Sequence, residues 1–90
     1  MTDVTTKMKR CLLGKIHRWR AAYRNNNDDD KVVVWKEGVA ITHFRFVTKR
    51  RLEYCEAWEE GHPFHRTIFY SEDALAAWID AKVIHLLNNH

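Results

Sequence analysis

KVVVWKEGVAITHFRFVT, residues 31–48, is the stretch whose reading decides the fold. Valine, aromatic and threonine residues crowd it, and these residue types fit a pleated, half-buried surface. Glu37-Gly38 interrupts the run with a residue that accepts positive φ, so the chain turns back on itself. The stretch therefore reads as a hairpin of strands 31–36 and 39–48. Lys49-Arg50 marks the far turn, and residues 51–59 read as a third strand. Glu60-Gly61-His62-Pro63 makes the next connection, and residues 64–70 read as a fourth strand. Links this short between neighbours require an antiparallel meander.

On both sides of the strands the period changes to that of a helix. In residues 4–24, Met8, Leu12, Ile16, Trp19 and Tyr23 recur at steps of four and three, on one face. Asp3 or Thr5 is the expected cap, and Gly14 costs about 1 kcal/mol relative to Ala inside the helix. At the other end Ser71 is a good N-cap, and Glu72 and Asp73 suit the positive end of the helix dipole. Leu75, Trp78, Ile79, Val83, Leu86 and Leu87 then form an apolar stripe. The run Asn25-Asn26-Asn27-Asp28-Asp29-Asp30 is a polar linker. It lacks the alternating ligands, the glycine and the distal glutamate of a calcium loop. The expected architecture is a single α+β domain over 1–90, in the order α-β-β-β-β-α. A four-stranded antiparallel meander sheet is packed by the N- and C-terminal helices.

Composition is consistent with this. Ninety residues, 46% of them hydrophobic and four of them Trp, build one compact core and leave no room for a second. Three glycines and one proline argue against disorder and against a turn-rich secreted scaffold. Two cysteines, Cys11 and Cys55, suit a reducing compartment. The N-terminal segment is charged throughout, and no apolar run is long enough to span a bilayer. A cytoplasmic protein without a membrane partner is expected.

The net charge of +3 is unevenly spread. Residues 7–24 hold seven Lys or Arg and no acid, and Lys49, Arg50 and Arg51 form a second cluster. Residues 53–80 hold seven acids, with Arg66 among them and Lys82 just beyond. Such asymmetry creates a local field even when the total is small.

Strand alternation sorts the side chains into two faces. Val33, Trp35, Ala40, Phe44, Phe46, Cys55, Ala57, Ile68 and Tyr70 are expected on the apolar face, beneath the helices. Val34, Ile41, His43, Arg45, Val47, Leu52, Tyr54, Glu56, Trp58, His65 and Phe69 are expected on a mixed face. That mixed face has three readings: covered by the N-terminal helix, a dimer or partner interface, or a platform stacking single-stranded nucleic acid.

Chemical motifs are weak. His62 and His65 form an HxxH pair, and Cys55 and His43 lie on neighbouring strands. No CxxC accompanies them, and a turn explains His62-Pro63, so no metal is expected. Alternation points Cys55 away from His43 and His65, which suits a small buried hydrophobe better than a nucleophile. Cys11 and Ser71 have equally ordinary roles, as a stripe neighbour and a cap. No acid pair sits in an apolar cleft, and three glycines make no nucleotide cradle. No catalytic residue and no cofactor are expected.

The expected function is therefore that of a small non-enzymatic interaction protein docking on a larger protein or nucleoprotein complex. By analogy of size and character it suits an inhibitor of the kind phages direct at host machinery, such as a nucleic-acid-processing or CRISPR complex. The surfaces that would carry docking are Arg10, Arg18, Arg20 and Arg24, then Lys49, Arg50 and Arg51, then Arg45, Tyr54 and Trp58. Direct nucleic-acid binding through the same cations is the alternative. An enzyme or metal site assembled from scattered His and Cys is a lesser one. A symmetric homodimer through the mixed face is a further possibility.

Overall fold

The computed structural model describes residues 4–26 and 30–88. Helix α1 (Val4–Trp19) is followed by strands β1 (Ala22–Asn26), β2 (Lys31–Lys36), β3 (Val39–Lys49), β4 (Leu52–Glu59) and β5 (Thr67–Phe69). A C-terminal helical segment follows, made of α2 (Glu72–Trp78), a π-helical stretch (Ile79–Val83) and α3 (Ile84–Asn88). The strands form one sheet in the order β1-β2-β3-β4-β5, with every neighbouring pair antiparallel. The expected α+β meander is present, with one strand more than the alternation had suggested.

The additional strand arises where α1 ends. The apolar stripe of Met8, Leu12 and Ile16 is buried as expected, but the helix stops at Trp19. Arg20 takes φ 57, its N–H bonds the His17 carbonyl at 3.2 Å, and the Ala21 N–H bonds the Ile16 carbonyl at 3.2 Å. This pair of bonds is a Schellman C-cap, with an arginine at the left-handed position usually held by glycine. Tyr23 and Arg24, read from spacing as helical, therefore lie on edge strand β1. Thr5 is no cap. Its hydroxyl lies 3.1 Å from that of Thr48 and donates to Glu53 at 3.3 Å. Asp3 lies outside the described residues. So do Asn27, Asp28 and Asp29 of the polar run, whose first members, Asn25 and Asn26, end β1.

Both helical ends of the chain pack on one side of the sheet. Met8, Leu12 and Ile16 of α1 meet Leu75, Ile79, Val83 and Leu87 over Val32, Val34, Phe44, Phe46, Cys55, Ala57 and Phe69. The last four helical positions recur every four residues. In a 3.6-residue helix each such step overshoots by about 40°, so the stripe would wind off the core. The wider π turn at Ile79–Val83 offsets that drift, and all four stay buried. Ser71 caps α2 as expected, its hydroxyl accepting the Ala74 N–H at 3.2 Å. Glu37 and Gly38, at φ 53 and 79, form the tight β2–β3 turn.

Register corrects part of the expected face assignment. Val32 opposes Phe44 and Val34 opposes Thr42, so these valines face the core while Val33 and Trp35 turn away. Three consecutive valines carry no alternation of their own, and the partner strand decides their parity. A β-bulge between Val34 and Trp35 leaves Ile41 without a register partner, and Ile41 joins the core where Ala40 had been expected. Cys55 opposes Phe69, so Phe69 is buried while Ile68 and Tyr70 lie outside.

Candidate docking face of the sheet

The side of the sheet away from the helices carries its outward residues in cross-strand rows. One row runs Arg24, Val33, His43, Trp58. The next runs Lys31, Arg45, Glu56, Ile68, and further along Val47 opposes Tyr54 and Lys49 opposes Leu52. Parity alone puts these residues together, since every second side chain of a strand points the same way.

Trp58 is the floor of this face. Its exposure is only 6% because polar neighbours cover it. His43 stacks on it in parallel at 5.3 Å, the Lys31 ammonium lies 5.3 Å from the ring centroid, and the Arg66 guanidinium lies 4.0 Å away. Contacts of this kind suit cations, which are drawn to the negative ring face. Arg66 is also fixed from both sides, by Glu56 at 2.6 Å and by the Pro63 carbonyl at 2.9 Å. His43 in turn is held by Glu60. Lys31, Arg45, Trp58 and Arg66 together line a notch of ≈ 260 Å³. Arg45 forms no ion pair among the described residues. Beside the notch the Tyr54 and Tyr70 rings lie 6.0 Å apart, and Tyr70, Leu52 and Ile68 are each about half exposed.

The other expected residues are distributed as follows. Arg10 and Arg18 are exposed on α1, and Arg20 is exposed at its C-cap. All three belong to the helix layer, on the opposite side of the sheet from Trp58. Arg24 joins the open face through β1. Lys49, Arg50 and Arg51 are exposed at the β3–β4 turn, with Arg50 at φ 51. Arg45 and Tyr54 are half-buried on the open face. Trp58 lies on the expected face but is a covered floor, so its ring is not offered to a partner.

Two participants, Arg66 and Lys31, are not expected from spacing, and one residue lies outside its expected strand. Arg66 was read only as an isolated cation among acids, yet its side chain reaches back over Trp58. Lys31 was read as the start of a strand. Phe64 was placed in a strand, but it sits in the connection before β5 and is 95% exposed, and His65 is exposed in the same connection. The sequence signal for Arg66 was the short Gly61–Pro63 turn, which brings its strand end back beside Trp58.

The residues weighed for catalysis and metal binding do not converge. The His62 and His65 rings are 6.1 Å apart, while Cys55 is buried on the helix side and His43 lies on the open side. Among the described residues no three His, Cys, Asp or Glu side chains are grouped to hold a metal ion. Burial, reinforced by the charge of Glu56, pushes the Cys55 thiol far above its ordinary value of 9.0, and burial likewise raises Cys11. Neither thiol is activated as a nucleophile would be. Among the described residues no helix is long and apolar enough to cross a membrane. No protein-family model, no curated protein and no solved structure matches this chain.

Proposed function

We propose that the chain is a non-enzymatic docking module that binds a larger, anionic macromolecular partner through the open face of its sheet. One observation carries this reading: among the described residues, helices cover the sheet on one side only. The uncovered side presents Lys31, Arg45 and Arg66 around a single ring, next to an exposed Tyr70. Interfaces concentrate Arg and Tyr in this way, and complementary charge guides encounter with the partner. The cations of α1 lie on the far side of the sheet, so a flat partner seated over the Lys31–Arg45–Arg66 notch does not reach them.

The test is affinity capture from the cells that make the protein, comparing the native chain with Arg45→Glu and Tyr70→Ala. The reading expects one macromolecular complex to be recovered by the native chain and lost with either variant. Equal recovery by all three would remove the open face from the account.

A further inference from the structure

We propose that the Lys31–Arg45–Arg66 notch is a phosphate subsite for single-stranded nucleic acid, with Tyr70 and Tyr54 as the adjoining base-stacking platform. This rests on the docking reading above and names its partner.

The charge arrangement is the first reason. Lys31 and Arg45 are direct register partners on neighbouring strands. Like charges placed opposite each other destabilise a sheet. The next residue of the row is the acid Glu56, but its carboxylate is taken by Arg66 at 2.6 Å. A face that served folding alone would gain from an acid at position 31 or 45. Instead two cations repel each other above a covered ring, and a bound anion neutralises both. Arg24 in the next row and Lys49 further along extend the positive track. Outward rows recur at every second residue, about 7 Å apart, so the track has the repeated spacing that a polyanionic strand can follow.

The rings are the second reason. Trp58 is already stacked by His43 and capped by Arg66. Tyr70 is 59% exposed and its ring is tilted 52° against that of Tyr54. A base stacks on such a ring without sequence-specific hydrogen bonds. Duplexes hide their base faces, so this pairing of cationic notch and exposed tyrosine favours a single strand. A run of acidic side chains, as in poly-glutamate, would satisfy the notch but brings no ring of its own to Tyr70.

Fluorescence anisotropy with a labelled oligothymidylate tests the assignment. The comparisons are a duplex of equal length, poly-glutamate and inorganic phosphate at matched ionic strength. Binding should weaken about 18-fold between about 50 and about 200 mM salt, as release from some three phosphates requires. Lys31→Glu is the decisive variant, because it places an acid opposite Arg45 and relieves the repulsion. It should melt close to the native chain, the relieved repulsion offsetting the lost Lys31–Trp58 contact, yet bind about ten-fold or more weakly. Tyr70→Ala should weaken binding roughly five-fold or more. Arg45→Gln, which keeps shape and removes charge, should also weaken it, and Lys7→Glu on α1 should leave it unchanged.

No oligonucleotide affinity at low salt overturns the assignment. So does equal affinity for duplex or poly-glutamate, or full competition by millimolar phosphate. If capture from cells is lost with Arg45→Glu while no oligonucleotide binds, the nucleic-acid assignment falls and the docking reading stands. Capture that ignores Arg45→Glu sinks the docking reading itself.

Discussion

Gly14 in the first helix and Arg20 just beyond its end sit at each other's preferred positions. Gly14 lies inside α1, where a glycine is less favourable than alanine by about 0.8–1.0 kcal/mol. A Cβ built at Gly14 meets nothing within 4 Å, so Gly14→Ala keeps that gain without a clash. Arg20 occupies the left-handed C-cap position at φ 57, which costs a side-chain-bearing residue about 1–2 kcal/mol. Glycine removes that strain but adds roughly 0.5–1 kcal/mol of chain entropy, so Arg20→Gly nets about 0.5–1 kcal/mol. The sites are six residues apart, about 9 Å along the helix, and share no partner among the described residues, so the effects should add to about 1.3–2 kcal/mol. For a domain of this size that is a rise in Tm of about 5–16 °C. Urea and thermal unfolding of the two single variants and the double variant, followed by circular dichroism, measure it. A loss of stability in Arg20→Gly would refute the C-cap geometry. A loss in Gly14→Ala would show that position 14 is packed against something.

Two further substitutions probe the interior. Thr42 is fully buried and its hydroxyl has no hydrogen-bond partner among the described residues, so Thr42→Val should stabilise by about 1 kcal/mol in urea unfolding. Destabilisation there would mean that the hydroxyl is satisfied. The Cys55 thiol should resist alkylation until the chain unfolds, and rapid labelling of the native protein would contradict its burial. The same burial sets a pH dependence. Above its ordinary value of 9.0 the thiol ionises in the unfolded chain but keeps its proton in the folded one. The unfolded chain then binds fewer protons, so stability falls with rising pH, by about 1.4 kcal/mol per unit. Below that value the contribution is fully present. Cys55→Ala should show a shallower alkaline decline, and an identical slope would remove the thiol as its cause.

Much of the fold was legible because three signals agreed. The Glu37-Gly38 turn, the apolar stripe from Leu75 to Leu87 and the Ser71 cap each specify local structure without help from elsewhere in the chain. The end of α1 was not legible. Trp19, Tyr23 and the basic residues between them continue a helical period, and only an arginine at positive φ breaks it, which residue type does not announce. Face assignment succeeded on β3 beyond the bulge and on β4, where Phe44, Phe46, Cys55 and Ala57 alternate with His43, Arg45, Tyr54 and Trp58. It failed on β2, whose valines are equivalent on both sides, and at Ile41, where the bulge shifts parity. The candidate site was half legible. Arg45 and Tyr54 were found by alternation, but Lys31 and Arg66 reach Trp58 through long side chains that spacing does not place.

The most direct measurement is backbone amide NMR of the native chain titrated with oligothymidylate. The account predicts that shifts concentrate at residues 31–33, 43–47, 54–58 and 66–70, while the solvent side of α1 around Lys7 and Arg18 stays still. Shifts confined to α1, with the strand amides unmoved, would contradict it.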